Sequence, residues 1–174
     1  IGEEGAGVRA SNGLELTTEA GFDDSLDFDL LVACGGIDVQ LSASKSVIAY
    51  LQRAAQRNLA LGAVCTGTFV LATAGVVDGY RCTIHWENLA SMREAFPQVI
   101  LTTEVFEIDR DRFTASGGNA PLDMFLNVIE THHGQDLANA ISEVFICERI
   151  RGRHDQQRIP LRTRLGTSQP KLME

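Results

Sequence analysis

The sequence lacks any CxxC pair, although it contains four cysteines. Cys34, Cys65, Cys82 and Cys147 lie far apart in apolar surroundings, which predicts reduced, intracellular thiols rather than a disulfide framework or a zinc site. The sequence also lacks a run of about 18 apolar residues and an N-terminal signal-like segment, so nothing in it indicates membrane insertion or secretion. We therefore expect a cytoplasmic protein with no metal and no other cofactor.

Positive charge is scarce outside the C-terminal end of the chain. Residues 1–148 carry eight basic and 21 acidic groups, whereas residues 149–174 carry seven basic groups against two acidic ones. Such a basic tail on an acidic body either contacts nucleic acid or an acidic partner, or is a solvated linker. With 174 residues and 44% hydrophobic content, the chain is long enough for one compact domain with an appendage.

Residues 59–77, LALGAVCTGTFVLATAGVV, have the pattern of a strand, a tight turn and a helix. Small apolar residues lead to Cys65, and Thr66-Gly67 then opens an apolar run at helical spacing. A thiol at such a turn is typical of a nucleophile elbow, where the apex side chain projects from the C-terminal edge of a parallel sheet. The alternative is that Cys65 is a buried small apolar residue, as many free cysteines are.

The rest of the sequence predicts alternating strands and helices. A hairpin is expected at 8–18 around a type I′ turn at Asn12-Gly13, although this stretch could instead be a mobile arm. A continuously apolar strand is expected at 26–34, before Gly35-Gly36, and an amphipathic helix at 44–58. The further predicted strands are 81–84, 99–103, 105–108 and 113–115, and the further helices are 88–96, 122–129 and 137–146.

Three predicted turns place small or reactive residues after strands. They are Gly35-Gly36, Cys65-Thr66-Gly67 and Ser116-Gly117-Gly118. Alternating strands and helices indicate an α/β fold with an open, mostly parallel sheet covered on both faces. In such a sheet the ligand crevice lies at the carboxyl ends of the strands, so these three corners are expected to meet at one pocket.

These motifs together resemble a known superfamily. The run AVCTGTFVLATAGVVDGYRCTIHWENL, with CGGID before it and FTASGGNAPLDMFL after it, is similar to PfpI/ThiJ proteins, which share the class I glutamine amidotransferase fold. More narrowly, it resembles the amidase-like N-terminal domain of AraC-type transcriptional regulators, the group that responds to arginine, carnitine, betaine and related compounds. The resemblance implies a flavodoxin-like three-layer sandwich, and the tail from Ile146 is similar to the segment that precedes a helix-turn-helix pair in those regulators.

The resemblance also implies roles for single residues. Cys65 matches the elbow cysteine, the backbone N–H groups of Gly36 and Thr66 match oxyanion-hole donors, and His85 falls where members often hold a histidine near the cysteine. The sequence departs from proteolytic members at Thr66, where they have a histidine. It departs from amidotransferases at 116–118, where they have a histidine and a glutamate. The acidic partner of the cysteine is expected upstream of Ile1.

Several side chains keep two interpretations. His85 either forms a dyad with Cys65 or lines the pocket as a ligand contact or half-buried histidine. Trp86 either binds a cationic ligand through its ring face or fills the core. Asp123 would cap a helix or form an ion pair rather than catalyse. The histidines at 132, 133 and 154 are expected at the surface.

The resemblance thus implies a ligand-sensing, dimerising regulator domain that is not an enzyme. Residues 1–148 would form the domain, without its first strand and helix, and residues 149–174 would be a basic linker to a DNA-binding helix-turn-helix domain outside this chain. A small effector, an amino acid or a quaternary-amine-like metabolite, is the expected ligand, with no membrane partner. The alternative is a cysteine-dependent hydrolase or hydratase that uses Cys65 and His85. The expected ligand contacts are Gly36, Cys65, Thr66, His85, Trp86, Ser116 and Gly117.

Overall fold

The computed structural model describes residues 1–3 and 7–159, and in this part of the chain strands and helices alternate along the sequence. The strands are β1 Val8–Arg9, β2 Glu15–Leu16, β3 Leu30–Cys34, β4 Ala60–Val64, β5 Arg81–Cys82, β6 Ile100–Leu101, β7 Phe106–Asp109 and β8 Arg112–Ala115. The helices are α1 Lys45–Gln56, α2 Thr68–Thr73, α3 Leu89–Ala95, α4 Ala120–His133 and α5 Gln135–Val144, with short 3-10 turns at Val39–Ser42 and Trp86–Asn88. None of these helices has the length and apolar character needed to cross a bilayer.

The central sheet has four strands in the order β3-β4-β8-β7. Strands β3, β4 and β8 are parallel, and β7 joins β8 as an antiparallel hairpin. Strands β5 and β6 form a separate parallel pair, and β1 and β2 form an exposed hairpin. The predicted α/β fold with a mostly parallel sheet is therefore confirmed.

Alternate residues of β4 face two different cores. Leu61 and Ala63 pack with α1, α2 and α3 in the larger apolar cluster. Val64 packs against Ala120 and Met124 of α4 in the smaller one. Because successive strand side chains point to opposite faces, helices cover the sheet on both sides and make three layers. Fully burying a side chain such as Leu61 contributes about 1.5–3 kcal/mol to folding.

Beyond shifts of one or two residues at element ends, the structure differs from the sequence-based expectations in three places. The strand predicted at 26–34 begins only at Leu30, and it is half-buried rather than buried because β3 pairs with β4 on one side alone in the described sheet. The hairpin turn closes with the N–H of Gly13 donating to the carbonyl of Ala10, and only Gly13 has positive φ, so it is not the type I′ turn predicted at Asn12-Gly13. Helix α4 runs on to His133 and ends at Gly134, whose φ is 90°.

Candidate functional site

Cys65 stands at the apex of a sharp reversal between β4 and α2. Its φ is 59°, a left-handed conformation that costs a non-glycine residue about 1–2 kcal/mol. The turn is held because the N–H of Cys65 donates to the carbonyl of Ala115 over 3.0 Å and the N–H of Gly67 donates to the carbonyl of Val64 over 3.0 Å. The side chain stays half-exposed. Strained backbone that persists with an accessible thiol is typical of a functional site, and the geometry is that of the predicted elbow.

The glycine corner after β3 packs directly against the elbow. A Cβ atom added to Gly35 would overlap the backbone nitrogen of Gly67 and the hydroxyl of Thr66, and one added to Gly67 would overlap the carbonyl oxygen of Ala33. The hydroxyl of Thr66 donates a 2.7 Å hydrogen bond to the carbonyl of Gly36. These contacts explain why both corners need glycine, since any side chain would force the two strand ends apart.

His85 and the third corner lie beside the thiol. The backbone N–H of His85 donates to the carbonyl of Cys65 over 3.2 Å. A Cβ atom added to Gly117 would lie 2.6 Å from Cδ2 of His85 and 3.7 Å from Sγ of Cys65, so the imidazole and the sulfur flank the same point. On its other side, Nδ1 of His85 lies 3.5 Å from Oε2 of Glu87. A thiol, an imidazole and a carboxylate therefore follow one another across the site.

An open cavity of about 870 Å³ lies at this edge of the sheet. It is bordered by the first glycine corner, the elbow, His85, the 3-10 turns and the hairpin. The lining residues are Ser11, Gly35, Gly36, Ile37, Asp38, Val39, Gln40, Cys65, Thr66, His85, Glu87 and Asn88. Its volume falls in the range of small-molecule sites. Two of the predicted corners thus border one cavity, and the third lies directly behind Cys65 and His85.

The cavity has two carboxylates and no lysine or arginine to compensate them. Asp38 and Glu87 are its two carboxylates, and none of the residues that line it is a lysine or an arginine. Asp38 has a φ of 55°, so two residues with left-handed backbone, Asp38 and Cys65, border the same space. In the part of the chain that the structure describes, the N–H groups of Gly36 and Thr66 donate to no protein acceptor. The lining therefore offers carboxylates for a cation and free amides for an anion.

Sequence reasoning missed Asp38 and Glu87. Each lies at or in a 3-10 turn that follows a strand end, where no periodic pattern marks a side chain as facing a pocket. The only available signal was proximity to the predicted corners, because Asp38 follows Gly36 by two residues and Glu87 follows His85 by two.

The other predicted site residues lie outside the cavity lining. Trp86 is half-buried and packs against the larger apolar cluster, with its ring centroid 5.6 Å from that of His85. Ser116 is buried, and its N–H donates to the carbonyl of Val105. Asp123 is buried and forms an ion pair with Arg151, at 2.6 Å, as one of the two interpretations predicted. The histidines at 132, 133 and 154 are exposed.

Metal ligands do not gather at this site. Within the described residues, no three His, Cys, Asp or Glu side chains cluster so as to hold a metal ion.

Comparison with known proteins gives two kinds of relative. The family model for DJ-1/PfpI proteins matches residues 1–131. The HTH-type transcriptional regulator GbdR of Pseudomonas aeruginosa is 52% identical over 171 residues, which cover 98% of this chain and 47% of the regulator. The isonitrile hydratase of Pseudomonas putida is 28% identical over 137 residues, which cover 77% of this chain and 58% of the enzyme. The chain thus spans about half the length of the regulator that it matches.

A solved structure agrees with the sequence comparison. The crystal structure of an AraC family transcriptional regulator from Pseudomonas putida superposes with a TM-score of 0.72 at 35% identity, and the match covers 81% of this chain and 76% of that one. The similarity to named transcriptional regulators is thus found both in sequence and in fold.

Proposed function

The chain belongs to the DJ-1/PfpI family, and from this we propose that it is the effector-binding, dimerising domain of an AraC-family transcriptional regulator. The identity to GbdR over almost the whole chain supports the regulator, since the matched half would be the sensor part of a longer protein. Residues 1–148 would form the sensor domain, and residues 149–174 would lead to a helix-turn-helix domain that contacts DNA. The parent protein would act as a homodimer in the cytoplasm.

The effector would be a small zwitterion or cation, such as an amino acid or a quaternary amine. The observation that carries this proposal is the cavity at Cys65, whose lining has the carboxylates of Asp38 and Glu87 and no lysine or arginine. A cationic group about 4 Å from one carboxylate gains up to about 4 kcal/mol at the effective dielectric of a protein surface, before desolvation is subtracted. An anionic ligand would meet repulsion from both side chains.

The free amides of Gly36 and Thr66 would hold the other end of the ligand. A carboxylate there would accept two backbone hydrogen bonds, as an oxyanion does in the enzymes that share this elbow. A ligand with separated positive and negative ends satisfies both parts of the lining, whereas a simple amine satisfies only one. Gly36, Thr66 and His85 would then contact the ligand, as the sequence predicts. Asp38 and Glu87 would bind its cationic end, the role that one of the two interpretations gives to Trp86.

A ligand screen tests this proposal. Thermal unfolding of the chain is measured with glycine betaine, L-carnitine and L-arginine, and with succinate as the anionic control. A ligand that binds the folded state stabilises it, by about 2.7 kcal/mol at 100 times its Kd, and so raises the midpoint temperature of unfolding. At least one cationic or zwitterionic compound should raise the midpoint and succinate should not. No shift with any of the three would count against an effector of this class.

A second candidate function is a cysteine-dependent hydratase. The neighbouring Cys65, His85 and Glu87 favour it, because a thiol, a base and an orienting carboxylate are the parts of a nucleophilic site. Consumption of an isonitrile by the wild-type chain, lost in Cys65→Ser, would establish this activity. Retention of ligand binding by Cys65→Ser without any turnover would support the sensor instead.

A further inference from the structure

The C-terminal part of the described chain packs against the rest of the domain. We refer to residues 150–159 as the strap. Gln156 forms an antiparallel bridge with Glu104, the N–H of Val105 donates to the carbonyl of Asp155 over 2.8 Å, and Ile159 packs against the larger apolar cluster. The strap is therefore a docked element, and it leads directly into residues 160–174.

One anchor of the strap lies below the Gly117 corner. Both the backbone N–H and the guanidinium of Arg151 donate to the carboxylate of Asp123, at 2.9 and 2.8 Å. Asp123 is buried in the first turn of α4, the helix that starts just after Gly117. Asn127, one turn further along α4, donates to the carbonyl of Arg151 over 3.0 Å. Charge-assisted bonds to a buried carboxylate fix this end of the strap firmly on α4.

The other anchor is Gln157, which lies directly behind His85. Its side-chain amide donates to the hydroxyl of Thr83 and to the carbonyl of Ile84, both at 3.0 Å. Its backbone N–H donates to the carbonyl of Thr103 over 2.9 Å. Ile84 is fully buried and immediately precedes His85, so the amide of Gln157 holds the backbone from which the imidazole of the site projects.

Thr83 connects this anchor to the elbow. The hydroxyl of Thr68, at the start of α2, donates to the carbonyl of Thr83 over 2.7 Å, and the N–H of Thr83 donates to the hydroxyl of Thr114 in β8 over 3.0 Å. Two residues further along the chain, the N–H of His85 donates to the carbonyl of Cys65. Hydrogen bonds and the 83–85 backbone thus connect the strap to the elbow, with the buried side chains of Thr68, Thr83 and Thr114 between them.

We propose that the strap couples the effector cavity to the segment that follows it, so that effector binding and strap docking stabilise each other. The inference rests on the proposed effector function. An effector that contacts His85 binds best when the 83–85 backbone is held in place, and Gln157 holds it only when the strap is docked. Linkage then requires that the effector favours the docked strap to the same degree. The two states are a docked and an undocked strap.

The substitution Gln157→Ala tests the coupling without any effector. It removes the side-chain bonds of Gln157 to Thr83, to Ile84 and, over 3.3 Å, to the carbonyl of Glu104, and it should make hydrogen exchange at the His85 amide about five-fold faster or more. Alkylation of Cys65, followed on its own peptide by mass spectrometry, should change by a similar factor. Gln156→Ala is the matched control, because this neighbouring glutamine is exposed and its side chain makes no hydrogen bond within the described residues. Circular dichroism spectra that match the wild type in both variants exclude a general loss of folding.

A second measurement uses glycine betaine, L-carnitine and L-arginine as probes with the full chain. The probe that stabilises the wild type should slow exchange at the amides of Val105 and Gln157, and Gln157→Ala should weaken its binding about five-fold or more. Exchange at His85 and alkylation of Cys65 that match those of Gln156→Ala would overturn the strap proposal, whichever probe binds. If Gln157→Ala alters the site as expected but no probe binds, the strap is coupled to the site and the proposed effector class is wrong.

Discussion

The hydroxyl of Thr66 donates a 2.7 Å hydrogen bond to the carbonyl of Gly36, and this bond joins the elbow to the first glycine corner. Both residues border the cavity, and both have backbone N–H groups that no protein acceptor occupies in the described chain. The bond therefore fixes the distance between two amides that would share one anionic group. The hydroxyl of Thr66 thus holds the two corners together.

Thr66→Val tests the importance of that bond. Valine keeps the branched shape and loses the hydroxyl, so the free energy of unfolding should fall by about 1 kcal/mol, the usual net value of one hydrogen bond. Effector binding should weaken as well, because the two amides lose their fixed spacing. Urea unfolding and a binding titration measure the two effects. In the control Thr73→Val, the lost hydroxyl bonds only the carbonyl of Phe69 in its own helix, so binding should not change.

Gly117→Ala should displace His85. The new Cβ atom would lie 2.6 Å from Cδ2 of the imidazole, so the ring must move away from Cys65 or the corner must shift. Overpacking of this kind costs about 1–3 kcal/mol, and the alkylation rate of Cys65 should change with the position of the ring. Gly152→Ala is the control, since the nearest atom to its Cβ is 4.0 Å away. Equal alkylation rates in the two variants would show that the third corner does not position His85.

Cys82 should be the unreactive thiol of the domain. It is fully buried in the larger apolar cluster, and burial raises the pKa of its thiol to about 12. At pH 8 almost none of it is thiolate, so iodoacetamide should leave Cys82 unmodified in the folded protein and label it after unfolding in urea. Exposed Cys34 provides the internal reference. Labelling of folded Cys82 as fast as Cys34 would contradict the described core.

The sequence predicted the parts of the site that have strong local patterns. The pattern of a strand up to Cys65, a small residue at Gly67 and an apolar helix after it predicts a sharp reversal of the chain. The structure has that reversal. The place of the two glycine corners could also be predicted, because the carboxyl ends of parallel strands meet at one edge of the sheet.

The remaining parts depend on contacts that no periodic pattern in the sequence marks. The carboxylate of Glu87 lies beside His85 because a 3-10 turn brings it there, and Trp86 in the same turn packs into the core instead of the cavity. The basic composition of the tail left open a solvated linker or a contact with nucleic acid or an acidic partner, and it did not indicate that Arg151 pairs with a buried carboxylate 28 positions earlier. No periodicity in the sequence reports such a pair. Residues 160–174 of the predicted linker lie outside the described residues, and the boundary at 148 stays a prediction.

Strap docking should depend on pH through Asp155. The guanidinium of Arg149 and then the N–H of Gly152 lower the pKa of this carboxyl below its usual value near 3.8. Because the folded pKa is the lower one, the stabilisation is present above pH 4 and is lost as the pH falls through the lowered pKa. An NMR titration of the Gly152 amide should therefore show a midpoint below 3.8. The transition should vanish in Asp155→Asn, and a midpoint at or above the usual value would contradict these contacts.

The most direct test of the central claim is a calorimetric titration of glycine betaine, L-carnitine and L-arginine into the chain and into the double variant Asp38→Asn/Glu87→Gln. The control is Asp27→Asn/Glu94→Gln, which removes the same two charges from exposed positions outside the cavity. We expect one of the three compounds to bind the wild type and the control equally, and the cavity variant about ten-fold more weakly, a difference of about 1.4 kcal/mol. Equal affinity in all three proteins, or no binding to the wild type, would contradict an effector site at Cys65.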